Sequence, residues 1–521
     1  MAGPAASTES FRVMLAALSS RGEVTSVSYA DQLLAGTRRL RIVDREHAVQ
    51  PWISADGRWL LCYNGEVFNY RELRGQLQQL GREFRGESDT EVVLEAFGQW
   101  GENAVSRMRG EFAFVIADRS AGRLYLARDP LGVKPLYWSI RSGQLYLASE
   151  VKALVPVGAP ISQVPPGYHG WAAAGDVPEL LPYTDLHRLG AGCEPIKDPA
   201  QAAKLLRAAF EDSVRVRVDT DLTVGVILSG GLDSSLTLTQ AHAMHPDCIA
   251  FTVGAPGSED IAYARRLTAD LGVPHEVIEL RPREIRLADV REAIRISELT
   301  EYGDIINAVV SVPLFRRVSE LGVKVVLTGD GSDELFGGYP MYHRTSAAQV
   351  RRLFLHKIAN LGRTELQRVD RASMGHGVEA RVPFLDACMV ELAMRLPMEL
   401  KVRDGQEKWI LREAFAGLVP DYVRRRPKNP MSHSSGLHER ARLYKPLFAR
   451  IHRSFGYDLH APVRRDFSTV LDACGNDLDQ ALTRAAARQD YNALERARDL
   501  AGAARWNIAA AGRRGPTEVR S

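Results

Sequence analysis

Three acidic side chains, Asp330, Asp333 and Glu334, stand within five residues of one another among the glycines of GDGSDELFGG. Carboxylates this close repel one another unless a cation or a bound substrate compensates them. Upstream, in LTVGVILSGGLDSSLTL (Leu222 to Leu238), an apolar β-branched run stops at Ser229-Gly230-Gly231, and a helix-compatible stretch starts at Asp233-Ser234-Ser235. Glycine lets backbone approach a ligand closely. The turn amides, the hydroxyls of Ser229, Ser234 and Ser235 and the helix dipole all favour an anion there, phosphate being the natural one. The stretch lacks the GxxxxGK[ST] spacing of a Walker loop, so it does not announce kinase or GTPase chemistry. Likewise the spacing D-x-x-D-E-x-x-G-G misses an EF-hand.

The elements that must hold these groups alternate. Thr223 to Leu228 reads as a strand feeding the glycine turn, Cys248 to Val253 and His275 to Leu280 as strands around a helix at Ile261 to Gly272, and Val323 to Thr328 as the strand opening into the acidic loop. Such alternation makes a parallel sheet with ligands at the carboxyl ends of its strands. Ala250 to Gly254 then falls where adenine and ribose would lie, although a buried strand accounts for its apolar residues equally well. Before this, Asp198 to Val216 has the pattern of an amphipathic helix, and from Pro156 to Pro199 glycine and proline are frequent, as in a crossing between domains. The first third holds short strands at Trp59 onward, Glu111 to Asp118 and Arg123 to Arg128, with turns at Asn64-Gly65 and Asp129 to Gly132, the pattern of a layered sandwich. The expected organisation is α/β: residues 1–180, a linker at 181–197, and a second domain over 198–521.

Composition narrows the class. A chain of 521 residues is too long for one core, and 45% hydrophobic with 25% charged residues describes an ordinary globular protein. A formal net charge of +3 asks for no nucleic acid, and the short runs Arg351-Arg352 and Arg424 to Arg426 are expected to be solvated faces. The five cysteines (Cys62, Cys193, Cys248, Cys388, Cys474) show neither zinc nor disulfide spacing and fit a reducing cytoplasm. There is no basic n-region ahead of an apolar core and no apolar run of about 18 residues, so neither export nor membrane spanning is expected. A homodimer is compatible with all of this. Leu478 to Trp506 has helical spacing and reads as a capping helix, with Gly512 to Ser521 frayed.

The SGGxDS phrase resembles the pyrophosphate loop of ATP pyrophosphatases, and Asp330 to Tyr339 resembles the second signature of asparagine synthetases. Asp370 to Met374, Gly377 to Asp386, Lys408 to Arg412, Leu418 to Pro420 and Arg426 to Lys428 continue that resemblance. In the first third, Arg39 to Asp44, Tyr63 to Glu66, Ser88 to Glu91, Gly110 to Phe114 and Arg128 to Gly132 resemble the glutaminase domain of the same family. The resemblance implies an N-terminal αββα sandwich joined to an ATP pyrophosphatase domain. It places ATP around Leu228, Ser229, Gly230, Gly231, Asp233, Ser234, Ser235, Val253 and Gly329, with Mg²⁺ on Asp233 and Asp333. It puts Asp330 in the acceptor pocket, and it makes Lys428 the ammonium that stabilises charge developing on the α-phosphate and on the tetrahedral oxyanion. In the first domain Arg39, Asn64, Gly65, Glu66 and Asp89 would hold glutamine.

Two departures matter. Such glutaminases use a cysteine at the extreme N-terminus, whose own amine activates its thiol, whereas the second residue here is Ala2, and Cys62 lies mid-chain without a free amine. The domain is therefore expected to be a scaffold that has lost glutamine hydrolysis. Asparagine-forming members hold the aspartate α-carboxylate with an arginine where this chain has LTEYGDIINAVVSV, which contains no Arg or Lys and has Asn307 near that place. Glu301 and Asp304 in the same segment would suit a substrate bearing a cation or hydroxyls. The expected function is a specialised amide synthetase, of the kind found in natural-product metabolism, joining a small carboxylate to ammonia or another amine. β-Lactam-type ring closure, ammonia-dependent asparagine synthesis, lasso-peptide cyclisation and a catalytically silent binding subunit are the alternatives.

Overall fold

The computed structural model describes residues 7–22, 24–30, 33–184, 194–428 and 436–487. Of the expected C-terminal helix, Leu478–Ala487 is observed; its remainder and Gly512 to Ser521 lie outside the described residues.

The first unit is built on strands whose alternate residues serve two cores. In Trp59–Val67, Leu61 and Tyr63 face helices Tyr70–Gln79 and Asp89–Trp100, while Leu60 and Cys62 face a second sheet. The larger sheet is antiparallel, in the order Glu179–Pro182, Tyr168–Ala173, Arg123–Arg128, Gly110–Asp118, Trp59–Val67, Trp52–Ile53. Gln144–Ala148, Tyr137–Arg141 and Ile161–Gln163 form a second antiparallel layer, over which Thr8–Ala17 and Val151–Leu154 pack. The result is an antiparallel sandwich with helices outside.

The second unit begins at helix Pro199–Arg217, whose first turn is capped by the Asp198 carboxylate accepting from Ala200 and Gln201 N–H. Its sheet is parallel, in the order His275–Glu279, Cys248–Gly254, Val224–Ile227, Val325–Leu327, Glu379–Arg381. Val224, Val226, Val325 and Val326 are buried, because parallel strands are covered on both faces. From Val224–Ile227 the chain first builds the sheet in one direction and then crosses to the other side at Val325. Where the order reverses, the loops leaving two neighbouring strands diverge and open a crevice. Those loops are the glycine turn after Val224–Ile227 and the acidic stretch after Val325–Leu327.

Buried arginines tie the units together. Arg217 donates to Glu111 at 3.0 Å and to Asp386 at 2.9 Å, Arg21 reaches Glu150 at 2.6 Å and Asp370 at 3.1 Å, and Arg381 pairs with Glu66. Among the described residues no helix is long and apolar enough to cross a membrane.

Candidate active site

The strand Val224–Ile227 delivers Ser229, and helix Leu232–Met244 starts two residues past Gly230 with no side chain capping its N-terminus, so its first N–H groups face the crevice. Gly230 has φ +68°, and a Cβ there would stand 2.8 Å from Tyr263 Cβ, so only glycine fits this turn. Ser234 Oγ is 3.1 Å from both Ser229 N and Ser229 Oγ, which fixes the turn from inside. The acidic loop crosses close by: a Cβ on Gly329 would meet Asp233 Cβ and Ser234 N at 3.0 Å. Ser332 Oγ donates to Asp233 at 2.7 Å, locking the two loops together.

A cavity of about 620 Å³ opens over both loops. Ser229, Gly231, Asp233 and Ser234 line it from the first loop, and Gly329, Asp330 and Asp333 from the second. Lys428 lines it too, as do Glu301, Asp304 and Asn307 at the start of helix Tyr302–Glu320. Four of the residues expected at the nucleotide do not line it. Leu228 and Val253 are buried in the cores, the Ser235 hydroxyl is buried without a hydrogen-bond partner, and Gly230 supplies the turn from behind.

The crowded acids are compensated individually. Asp330 accepts from Arg368 at 2.7 Å, Glu334 from the Tyr339 hydroxyl at 2.5 Å, and Asp333 pairs with both Lys408 and Lys428. Burial alone would raise the Asp333 carboxyl, but the two ammoniums hold it well below the usual carboxylate range. Burial and the neighbouring Glu365 instead push Glu334 up to about 8, so it stands protonated at neutral pH.

Lys408 was not singled out by the sequence. It is buried, has φ +55°, which is uncommon for a side chain other than glycine, and places one ammonium against Asp233 and Asp333. The phrase Lys408-Trp409 was visible, but nothing in its spacing marks a lysine that must turn inward. Arg426 is a second surprise. The run Arg424 to Arg426, expected to be a solvated face, leaves only Arg425 fully in solvent, while Arg426 is buried against Asp260 at 2.5 Å and reaches Ser229 O at 3.4 Å, bracing the glycine turn. Basic groups also enter the acceptor side from helices outside the Leu299 to Val312 segment. Arg368 contacts Ser311 Oγ at 3.1 Å besides Asp330, and Lys357 contacts Glu365 at 3.2 Å.

Asp233 and Asp333 supply hard oxygen donors in the number Mg²⁺ takes when phosphate oxygens and water complete its shell, so the pair fits that ion. Among the described residues no cluster of three or more potential ligands exists to offer an all-protein cage.

In the first unit a second cavity, of about 210 Å³, is lined by Arg39, Asn64, Glu66, Asp89 and Cys62 among others. Arg39 donates to Val43 O at 2.7 Å, and Asp89 accepts from the Tyr63 hydroxyl at 2.6 Å and from Val67 N at 3.2 Å. Burial pushes the Cys62 thiol up to about 11.

A parallel sheet that opens an anion cradle beside two paired carboxylates and two lysines, preceded by an antiparallel sandwich, defines an amidotransferase-type domain joined to an adenine nucleotide alpha hydrolase-like domain. Residues 205–509 match the asparagine synthase family and residues 1–167 match the glutamine amidotransferase domain family. Over 438 residues the chain is 34% identical to asparagine synthetase B [glutamine-hydrolyzing] of Escherichia coli (strain K12), covering 80% of this chain and 77% of that one. It is 31% identical over 462 residues to the putative asparagine synthetase [glutamine-hydrolyzing] 1 of Methanocaldococcus jannaschii, covering 76% of this chain and 81% of the other. This chain belongs to the asparagine synthase family and is an asparagine synthetase-like carbon–nitrogen ligase that makes amides at the expense of ATP.

Proposed function

We propose that the protein activates a small carboxylate other than plain aspartate as its acyl-adenylate and transfers the acyl group to ammonia or another amine, in specialised metabolism and without hydrolysing glutamine itself. The observation that carries this reading is the convergence of Lys408 and Lys428 on Asp233 and Asp333 at the mouth of the anion cradle.

In the first step an oxygen of the substrate carboxylate attacks the α-phosphorus of ATP, and the bond to the β-phosphate oxygen breaks. The N–H groups at the start of Leu232–Met244 and the hydroxyls of Ser229 and Ser234 hold the phosphates, while Lys408 and Lys428 face the charge that accumulates on the departing pyrophosphate. Mg²⁺ bound by Asp233 and Asp333 would further neutralise that leaving group. In the second step the amine nitrogen attacks the acyl carbon, AMP leaves with the bonding pair, and Asp330 takes the proton that nitrogen loses. Holding acid, nucleotide and amine in one cavity supplies the proximity that the second step requires.

Two features support the finer points. Asn307 lines the cavity, near the place where the resemblance puts the arginine of asparagine-forming members, and Leu299 to Val312 offers no Arg or Lys to an α-carboxylate. Cys62 is the one described cysteine lining the cavity of the first unit, and its raised thiol is a poor nucleophile.

The test offers the purified protein MgATP, ammonium and a panel of carboxylic acids, and follows AMP, pyrophosphate and product mass. The reading expects AMP and pyrophosphate in equal amounts and no glutamate from glutamine; ADP and orthophosphate would overturn it. Mass separates capture of ammonia from ring closure, because closure removes water and adds no nitrogen.

A further inference from the structure

We infer that Glu407 is a positioning residue for the synthetase reaction: it anchors the backbone of Lys428 at the spacing from which that lysine shares Asp333 with Lys408. The inference rests on the amide-synthetase reading and adds to it the group that sets the two ammoniums side by side.

Lys428 ends a stretch, Arg426-Pro427-Lys428, that forms neither helix nor strand, so no regular ladder of backbone bonds fixes it. Proline has no N–H to offer, and the Arg426 N–H is spent on Val423 O at 3.1 Å. The N–H of Lys428 itself goes to Glu407 Oε1 at 3.1 Å. Glu407 is also the residue before Lys408, whose left-handed backbone, φ +55°, precedes helix Trp409–Ala414. That reversal sends two neighbouring side chains to different partners, Glu407 to the Lys428 backbone and Lys408 to Asp233 and Asp333. One carboxylate thus joins the chain at both lysines.

The carboxylate is itself held. Arg412, buried in the same short helix, donates from Nη2 to Glu407 Oε1 at 2.6 Å and from Nε to Glu407 O at 3.0 Å. Its Nη1 donates to Arg424 O at 2.5 Å and to Arg426 O at 3.0 Å, carbonyls at and just past the end of helix Asp421–Arg424. A planar guanidinium used on three sides fixes Glu407 and the Lys428 stretch relative to one another. Glu407 lines the cavity beside the anion cradle, where a carboxylate disfavours phosphate, so what it contributes to the reaction lies in the bonds it makes to the chain. Without them Asp333 would still attract the Lys428 ammonium, but from a range of stem positions. A displacement of about 1 Å is enough to cost a reaction up to about 10²-fold.

The experiment follows pyrophosphate release by the full chain with MgATP, ammonium and the best acid of the panel, in a cycle of Glu407→Ala, Lys428→Ala and the double variant. E407A should lower kcat about tenfold, with KM for ATP and for the acid within about twofold of wild type. In the Lys428→Ala background the same change should cost less than about twofold, because the ammonium it positions is gone. Glu407→Gln, whose amide oxygen still accepts from the Lys428 N–H, should stay within about threefold of wild type. A readout free of substrate is acetylation of Lys428 by an N-hydroxysuccinimide ester, mapped on peptides against the exposed Lys204. It should quicken at least about threefold in E407A, as the stem is released. If E407A does not fold, Glu407→Asp, which keeps a charge for Arg412 and shortens the arm, carries the same expectations. A loss of equal size with and without Lys428, a loss confined to KM, or unchanged labelling of Lys428 overturns the inference and leaves the synthetase reading standing. Absence of pyrophosphate release by the wild type with every acid removes the synthetase reading, and the inference with it.

Discussion

Lys408 Nζ lies 2.5 Å from Asp333 Oδ1 and also contacts Asp233, so one buried ammonium joins the glycine turn to the acidic loop. Burial works against that charge, but the two carboxylates more than offset it and raise the Lys408 ammonium above its ordinary range. Replacing Lys408 with methionine keeps the stem and removes the charge. A lost electrostatic contact of this kind costs about 10²–10³ in kcat. K408M should therefore lower the rate of pyrophosphate release by about that factor with a small change in KM for the acid. Lys428→Ala should cost about 10²-fold, and the double variant less than the product of the two, since both act on Asp333. Steady-state kinetics decides: K408M within about threefold of wild type would reduce Lys408 to a packing residue.

The thiol of Cys62 faces the inter-sheet core and is pushed up to about 11 by burial. At pH 7.5 only a trace of it is thiolate, the form that reacts. In native protein N-ethylmaleimide should modify the exposed Cys388 well before Cys62, as read by peptide mapping. Cys62→Ser should leave ammonia-dependent synthesis intact and produce no change in glutamate release. Rapid labelling of Cys62, or glutamate formation that C62S abolishes, would show a working thiol there.

The loops were legible because their chemistry is local. Ser229 to Asp233 and Asp330 to Asp333 each combine strand, glycine and acid in consecutive residues, and the reversal of strand order then brings them together. Lys408, Arg368 and Arg426 were not legible as site residues, because each reaches its partner across a long stretch of chain: Lys408 to Asp233, Arg368 to Asp330, Arg426 to Asp260. A basic residue in a helix or a basic run looks the same in sequence whether solvent or a distant carboxylate receives it. The strand at Cys248–Gly254 shows the opposite limit, since Val253 fits both a core and an adenine site by pattern, and its side chain is buried in the core.

Gly230 and Gly257 share a left-handed backbone, with φ +68° and +75°, but differ in surroundings. A methyl group on Gly230 would press on Tyr263 Cβ at 2.8 Å and Asp260 O at 3.1 Å, whereas one on Gly257 meets nothing within 4 Å. Both alanine variants carry the backbone cost of about 1 kcal/mol or somewhat more. Only G230A should deform the phosphate cradle. The expected result is a KM for ATP raised at least about tenfold in G230A, the effect of a shift near 1.4 kcal/mol, and unchanged within error in G257A. Equal ATP affinities in the two variants would mean that the turn does not hold the nucleotide.

Glu66 and Arg381 form an ion pair between the two units, with Glu379 on the same guanidinium at 3.0 Å. Burial pushes Glu66 up to about 8, and the nearby Glu379 and Asp89 push the same way against Arg381, so the two glutamates share a proton at neutral pH. The sign of the linkage follows. Because the folded-state pKa is raised above the ordinary value near 4.5, the folded protein retains a proton that the unfolded chain has lost. Stability therefore falls as pH rises through the window from about 4.5 to about 8 and levels off above it. Between pH 6 and pH 9 the loss attributable to this site is of order 2 kcal/mol. Glu66→Gln cannot ionise, so denaturant unfolding should show wild type losing ground to E66Q across that interval, with the two curves parallel above pH 9. Parallel curves throughout would mean that Glu66 is ionised in the folded protein at pH 6 and that Arg381 alone sets its charge.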